Sequence, residues 1–307
     1  MAGVAARQHE QERRFLLHGQ TIAAPPLAPG LHPTATPIGN LKDITLRALE
    51  TLAGADAILA EDTRVTRNLL SHFGISTPLV AYHEHNEAAL RPQMLARLAE
   101  GAALALVSDA GTPLVSDPGF KLVEACLDAG VPIRAAPGAS AVLTALASCG
   151  ISPERFLFEG FLPPRGAARR ARLAELAGLP ATLVFYESPR RIAETLGDCA
   201  AVLGAARMAA VARELTKKFE ETRRATLREL AAAYAGEATP RGEIVLVVGP
   251  PVAADSETGA DDLDARIEAA LARHSVKDAA DIVAGETGRK RRLVYARALQ
   301  LAAARKP

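Results

Sequence analysis

The chain has 307 residues, of which 49% are hydrophobic, so it can form one large domain or two ordinary ones, and a wholly disordered protein is excluded. Its 36 lysines and arginines against 35 acidic residues leave a net charge of +1, so any basic surface must be local. The three cysteines are odd in number and widely spaced, which argues against a disulfide framework or a cysteine zinc site and fits a reducing cytoplasm.

The first segment, residues 1–30, shows no sustained hydrophobic period and ends in Pro25, Pro26, Pro29 and Gly30. Charged residues interrupt it, so an export signal is not indicated, and no apolar run in the chain has the length of a membrane span. We expect residues 1–30 to be a disordered extension that is dispensable for chemistry.

From residue 40 onward, stretches with a helical period alternate with short apolar runs, a pattern typical of an α/β fold with a mostly parallel sheet. The first strand, over 31–35, contains Pro33, which predicts a late start or a distorted edge. The spacing then predicts helices over 43–53, 64–73, 87–100, 118–129 and 139–149, and strands over 56–60, 103–108 and 131–135. We assign residues 31–150 to an N-terminal α/β domain.

A second series of elements begins after Gly150 and Pro153. The predicted strands are 156–161, 181–186, 207–212 and 243–248, and the predicted helices are 166–177, 189–202 and 226–235. We assign 151–252 to a C-terminal α/β domain and 261–307, which follows a polar acidic linker and has helical spacing throughout, to a small helical unit.

Polar, glycine and proline residues cluster where the strands of the first domain end. These clusters are Thr36–Asn40, Glu61–Arg64, Ser108–Pro113 and Pro137–Ser140. Any one of them could be ordinary turn and capping chemistry, but several at one sheet edge favour a ligand cleft, because ligands of open α/β sheets gather at the carboxyl ends of strands. The dinucleotide fingerprint, the phosphate-binding loop and the GxSxG nucleophile motif are all missing from the sequence. His83 and His85 are close enough to suggest a metal, but no third ligand stands at a standard spacing, so we expect none.

Arginines are concentrated in the second half of the chain, although the total charge is near zero. Residues 276–304 resemble a helix-turn-helix whose second helix opens with Arg289, Lys290 and Arg291, a place suited to phosphate contact; a plain helical hairpin is an equal alternative. Scattered surface charge is the alternative for the other arginines. The residues expected to contact RNA are Arg165, Arg169, Arg190, Arg191, Arg213, Arg289, Lys290 and Arg291.

Taken in chain order, the motifs are TPIGNLKDIT, AEDTRVTRNLL, HEHNE, LVSDAGTPLVSDPG, PGAS, FEGFLP, FYESPRR, ARELTKKFEE and RGEIVLVV. Over residues 33–304 the chain resembles the ribosomal RNA small subunit methyltransferase I (RsmI) branch of the tetrapyrrole methylase superfamily. The resemblance implies two α/β domains with S-adenosyl-L-methionine in the cleft between them, a C-terminal helical unit, and homodimers. It also implies methylation of the ribose 2′-hydroxyl of a P-site cytidine in the 16S rRNA of the 30S subunit.

Transferred by motif, the residues expected to line the cofactor pocket are Pro37, Gly39, Ser108, Asp109, Ala110, Gly111, Thr112, Pro113, Pro137, Gly138, Ala139, Ser140, Tyr186, Ala212 and Gly242. From residue chemistry, Glu61 or Asp62 would accept the proton or orient the hydroxyl, and Arg64, Arg190 and Arg213 would hold RNA phosphates. The alternatives are a methylase acting on a small molecule, a DNA-binding regulator, and a ribosome-associated factor without activity.

Overall fold

The computed structural model describes residues 13–116, 119–251, 258–287, 289 and 291–304. The chain divides into two units, Met1–Pro251 and Val252–Pro307. Both predicted α/β domains therefore lie within the first unit, each with its own sheet. In the described residues no helix is long and apolar enough to cross a membrane.

The four strands of the first sheet are β3 (Gly30–Pro33), β4 (Ala57–Ala60), β5 (Leu79–Ala81) and β6 (Ala103–Val107), and the helices are α1 (Leu46–Gly54), α2 (Thr63–His72), α3 (Glu87–Ala99), α4 (Phe120–Asp128) and α5 (Ala141–Ser148). The strands are parallel and lie in the order β3-β6-β4-β5. The first strand does not start late: Pro33 pairs with Leu106, and its carbonyl accepts the Ala136 N–H at 2.8 Å. The strand predicted over 131–135 is reduced to isolated bridges at Ile133 and Ala136.

The prediction of a disordered segment over 1–30 is wrong for residues 13–30. Here β1 (Arg14–Leu17) and β2 (Gln20–Ala23) form an antiparallel hairpin. Phe15 is only 1% exposed in the core of the first sheet, and Arg13 forms an ion pair with Asp56 at 2.8 Å. The buried Phe15 side chain therefore anchors this hairpin, whose strands are too short to show a hydrophobic period in the sequence. Residues 1–12 lie outside the described residues.

The strands of the second sheet are β7 (Phe156–Phe161), β8 (Thr182–Glu187), β9 (Met208–Arg213), β10 (Glu221–Thr226) and β11 (Ile244–Val248), and the helices are α6 (Gly166–Leu176), α7 (Ile192–Leu203) and α8 (Leu227–Gly236). The strand order is β10-β9-β11-β8-β7, and only the β7–β8 pair is parallel. The expected mostly parallel arrangement is therefore wrong for this sheet, because the spacing of apolar runs does not specify strand direction. The hydrophobic pattern does not predict β10, because this edge strand, ETRRAT, carries charges instead of an apolar run.

The two faces of the second sheet pack against different partners, as expected for alternating side chains. Leu183 and Phe185 face a core shared with α6, α7 and α8. Val184 and Val245 face the opposite way, into a core shared with α5 and Ile38. This second face is the one that meets the loops of the first sheet.

The C-terminal unit consists of α9 (Thr258–Leu271), α10 (Val276–Thr287) and α11 (Arg291–Ala304). Its small core contains Ile267, Ala280, Val283, Val294 and Ala298. The helical character and the break between α10 and α11 agree with the spacing of the sequence.

Candidate functional site

A cavity of about 400 Å³ lies in the first unit, between the loops that follow strands of the first sheet and the inner face of the second sheet. This size suits a small organic ligand. Its lining residues are Ile38, Asp109, Ala110, Gly111, Thr112, Val115, Ser116, Ser140, Ala141, Phe161, Tyr186, Glu187, Ser188, Pro189, Leu215, Gly242, Glu243, Ile244 and Val245.

Two loops of the first sheet are joined by backbone hydrogen bonds beside the cavity. The Thr36 N–H donates to the Gly111 carbonyl at 2.9 Å, and the Gly111 N–H donates to the Thr36 carbonyl at 3.1 Å. Gly111 has a φ of +79°, and a Cβ there would lie 3.2 Å from the Ile38 side chain. A glycine is therefore needed for the two loops to approach each other, and this approach places Ile38 and Gly111 in the same cavity wall.

On the opposite wall, Lys217 links two acidic residues. Its Nζ donates to Glu214 Oε1 and to Glu243 Oε2, both at 2.8 Å, and the hydrogen bond from Lys217 holds the pKa of Glu214 below its usual value. The stem of Lys217 packs on Gly39, where a Cβ would lie 2.5 Å from Lys217 Cγ. The loop that contains Gly39, after β3, is thus held against the loop that contains Lys217, after β9.

The cavity-lining residues Val115 and Leu215 each lie between two non-glycine residues with a positive φ. Leu114 and Ser116, on either side of Val115, have φ values of +74° and +69°. Glu214 and Thr216, on either side of Leu215, have φ values of +53° and +66°. Non-glycine residues rarely adopt this conformation, and such strain concentrates at ligand-binding sites. The geometry supports a binding role for both loops.

The predicted catalytic pair adjoins the cavity through Asp109. The Asp62 N–H donates to Asp109 Oδ1 at 3.0 Å. The Asp62 carboxylate caps α2 by accepting the Arg64 N–H, and it also pairs with the Arg64 guanidinium at 2.6 Å. Hydrogen bonds from Arg64 lower the pKa of Asp62 to about 2, so Asp62 is a weak base at neutral pH.

Seven of the predicted pocket residues line the cavity, namely Asp109, Ala110, Gly111, Thr112, Ser140, Tyr186 and Gly242. The others stand outside its lining: Pro37, Gly39, Ser108, Pro113, Pro137, Gly138, Ala139 and Ala212. Several of these support the wall from behind. Ser108 is buried and donates to the Ala110 carbonyl at 3.3 Å, and Gly138 packs against Ala35.

The apolar part of the lining, including Ile38, Val115, Phe161, Leu215 and Val245, is not indicated by the sequence. An apolar residue in a loop or at a strand end has the same composition whether it faces a ligand or a core. Only their position in the chain could have indicated these residues. Phe161 ends β7 within the motif FEGFLP, and Val245 is the second residue of β11 within the motif RGEIVLVV.

The structure separates the predicted RNA-contacting arginines into two groups. Arg169 is 3% exposed and donates to Asp198 at 2.6 Å and Glu194 at 3.3 Å, so the predicted RNA contact is wrong for this residue. Arg191 is held by the Leu162 and Pro163 carbonyls and by Glu187, and Arg213 is held by the Arg241 carbonyl and Glu221. These side chains therefore stabilise the fold through intramolecular hydrogen bonds and ion pairs.

Arg165 and Arg190, by contrast, are exposed, and within the described part of the chain neither side chain has a hydrogen-bonding or ionic partner. In the C-terminal unit, Arg289 is exposed and Arg291 pairs with Asp281. Lys290 lies outside the described residues. Among the predicted RNA-contacting arginines of the first unit, Arg165 and Arg190 are therefore the ones whose guanidinium groups are available.

The two histidines singled out in the sequence lie with their ring centroids 5.9 Å apart. Across the described ranges, no group of three or more histidine, cysteine and acidic side chains could hold a metal ion.

The chain is similar to proteins of known class along most of its length. Residues 34–231 match the family model described as Tetrapyrrole (Corrin/Porphyrin) Methylases, and residues 257–302 match the RsmI C-terminal HTH domain. A protein from Mesorhizobium japonicum named Ribosomal RNA small subunit methyltransferase I is 51% identical over 284 residues, which cover 92% of this chain and 96% of the relative. A protein of the same name from Escherichia coli O157:H7 is 45% identical and covers 88% of this chain and 94% of its own length.

Among solved structures, uroporphyrin-III C-methyl transferase from Thermus thermophilus, complexed with S-adenyl homocysteine, has a TM-score of 0.51. It is 19% identical, and the match covers 72% of this chain and 97% of that chain. At this identity the likeness establishes the fold of the two sheets.

Proposed function

The chain belongs to the ribosomal RNA small subunit methyltransferase I family of tetrapyrrole methylases, and from this premise we propose that it methylates the ribose 2′-hydroxyl of a P-site cytidine in 16S rRNA. The proposed methyl donor is S-adenosyl-L-methionine. The observation that carries the proposal is the cavity between the two sheets, whose lining combines the Asp109–Thr112 loop with Tyr186 and Gly242.

The residues of the cavity fit this cofactor. Ile38, Leu215 and Val245 provide apolar surface for a planar base, and Gly111 and Gly242 allow the backbone to approach a ligand closely. Asp109, Thr112 and Ser140 supply polar groups at the same wall. S-adenosyl-L-methionine supplies, when bound, a methyl group that is already activated on a sulfonium.

The chain's own contribution to the reaction is mainly positioning, because an activated methyl group needs an aligned acceptor and the exclusion of water. Asp109 fixes the start of α2 through the Asp62 N–H, and the Asp62–Arg64 pair completes that loop. We assign the proton-accepting role to Glu61, since the low pKa of Asp62 leaves it a weak base, and we assign orientation of the hydroxyl to Asp62.

Arg165 and Arg190 are proposed as phosphate contacts near the cavity, and Arg289 as a phosphate contact in the C-terminal unit. The partner is the 30S subunit or its 16S rRNA. We further propose that the enzyme is a cytoplasmic homodimer.

The proposal is tested by incubating the full chain and methyl-labelled S-adenosyl-L-methionine, in separate reactions, with a tetrapyrrole or with purified 30S or 50S subunits from cells that lack the modification. We expect label in the RNA of the 30S subunit and none in the 50S subunit. Label that enters a tetrapyrrole but neither subunit would identify a small-molecule methylase. Bound cofactor without transfer to any of these acceptors would also contradict the proposed function.

A further inference from the structure

An aromatic ring stands at the mouth of the cavity with more than half of its surface open. Phe161 is the last residue of the edge strand β7; it lines the cavity and is 59% exposed. Single exposed apolar side chains are common on protein surfaces. This one differs because one side of the ring belongs to the cavity that is proposed to hold the methyl donor.

A bulge in β7 turns Phe161 toward the cavity. The pairing with β8 shifts between Phe158, which is opposite Val184, and Gly160, which is opposite Phe185, so Glu159 is the extra residue. Without the extra residue, Phe158 and Phe161 would point to opposite faces of the sheet. With it, both rings contact Tyr186, with centroid distances of 4.8 and 5.6 Å. Tyr186 therefore supports Phe161 from one side, and the other side of the ring is open.

Two exposed arginines without an ionic partner among the described residues lie in the segments that follow the cavity-lining Phe161 and Pro189. Arg165 is four residues beyond Phe161, at the start of α6, and Arg190 directly follows the cavity-lining Pro189. Both are exposed. An exposed aromatic ring with unpaired arginines in the adjoining loops matches the chemistry of a single-stranded nucleic acid, whose bases stack on aromatic rings and whose phosphates pair with cations.

We propose that Phe161 is a specificity residue that stacks on a nucleobase of the RNA substrate and thereby places the neighbouring ribose at the cavity. The inference rests on the proposed function and adds the base-binding contact to it. Arg165 and Arg190 hold the phosphates on either side of the stacked nucleotide. Because stacking is sequence-tolerant, this contact selects an unpaired nucleotide over a paired one.

The test compares Phe161→Ala with Phe161→Tyr and with the control Phe156→Ala, which removes an aromatic side chain that is 43% exposed at the other end of β7 and does not line the cavity. For Phe161→Ala we expect the half-saturating concentration of 30S subunits in single-turnover transfer to rise roughly 10- to 100-fold, the range of one lost stacking contact. Because Phe161 also lines the cavity, the Kd for S-adenosyl-L-methionine is measured in the same variant, and the fold-loss in 30S binding should exceed any fold-loss in cofactor binding. Phe161→Tyr should restore transfer, and Phe156→Ala should behave as wild type.

A fluorescence measurement tests the same contact without relying on a truncated side chain. The chain contains no tryptophan, so Phe161→Trp places one reporter at the cavity mouth and Phe156→Trp places one at the control position. A short cytidine-containing single-stranded RNA should quench the first reporter and not the second.

Wild-type 30S kinetics in Phe161→Ala, a fold-loss in cofactor binding as large as the fold-loss in 30S binding, or equal quenching of the two reporters would each overturn the inference. The failure of the proposed function itself is distinguishable from these results, because the wild-type protein would then transfer no methyl group to 30S subunits.

Discussion

The carboxylate of Asp109 accepts a hydrogen bond from the backbone N–H of Asp62 at 3.0 Å, and so joins the cavity wall to the first turn of α2. Asp109 follows β6 and Asp62 follows β4, and these two strands are neighbours in the first sheet. Two motifs that are 47 residues apart in the chain thus form one structural element at the carboxyl edge of the sheet.

Replacing Asp109 tests whether this link matters for catalysis. Asp109→Ala removes the acceptor and frees the start of α2, so we expect single-turnover methyl transfer to fall about tenfold, in the range of one hydrogen bond to a charged group. Asp109→Asn keeps an oxygen acceptor and should retain most of the activity. Equal losses in the two variants would show that the charge, and not the hydrogen bond, is what the site requires.

Removing the charge of Glu61 should affect methyl transfer more than removing the charge of Asp62, although both residues lie between β4 and α2. Glu61→Gln should lower the single-turnover rate about 100-fold, a typical contribution of a general base, whereas Asp62→Asn should keep the rate within about threefold. Rapid-quench measurements at saturating cofactor and 30S subunits separate the two. Wild-type rates in both variants would exclude general-base catalysis by either residue.

The low pKa of Asp62 also predicts a pH-dependent stability difference. Because hydrogen bonds from Arg64 lower the folded-state pKa from 3.8 to about 2, the ionised side chain stabilises the fold above pH 4, and this contribution is lost as the pH falls through 2. Asp62→Ala should therefore lower the Tm at pH 7, and the difference from wild type should shrink between pH 4 and pH 2. A difference in Tm that is the same at both ends of this range would rule out the ion pair as its source.

Replacing Arg169 should lower the stability of the fold, whereas replacing Arg165 should weaken RNA binding. Arg169→Ala removes the 2.6 Å partner of Asp198 but leaves Arg170 at 3.2 Å, so we expect a loss of about 2 kcal/mol in the free energy of unfolding, the range of a hydrogen bond to a charged group. Arg165→Ala should leave the Tm unchanged. It should reduce the slope of the logarithm of the 30S binding constant against the logarithm of the salt concentration by about one, the contribution of a single phosphate contact. Denaturant unfolding and salt titrations measure the two effects, and an unstable Arg165→Ala protein would contradict the assignment.

Gly242 should not tolerate a side chain. Its φ is +92°, and a Cβ at this position would overlap the Glu214 side chain, which Lys217 holds in place. Gly242→Ala should therefore weaken binding of S-adenosyl-L-methionine at least tenfold by calorimetry, since one misplaced wall contact costs on the order of 1.4 kcal/mol. The control Gly197→Ala meets nothing within 4 Å in the middle of α7 and should stabilise the fold by about 0.5–1 kcal/mol.

The fold class could be predicted because its strands are apolar runs and its motifs stand at their ends, and the comparisons confirm both the class and the family. The strand β6 is an example: its five residues are all buried, and the Asp109–Thr112 part of the following loop lines the cavity. Such elements are encoded locally, by hydrophobic period and turn chemistry.

The features that could not be predicted depend on contacts between distant residues. Arg169 has the same charge as Arg165, and only the fold reveals that Asp198 and Glu194 lie beside it. Phe15 anchors a hairpin through a core built from other segments. The bulge that turns Phe161 toward the cavity depends on its pairing with Tyr186, which no pattern within β7 specifies.

The proposed 2′-O-methylation of cytidine is tested by digesting the labelled 16S rRNA to nucleosides after transfer to 30S subunits that lack the modification. We expect the label to be recovered as 2′-O-methylcytidine. Label recovered on a base, on the ribose of another nucleotide, or in no nucleoside while the protein still binds S-adenosyl-L-methionine would contradict the proposal.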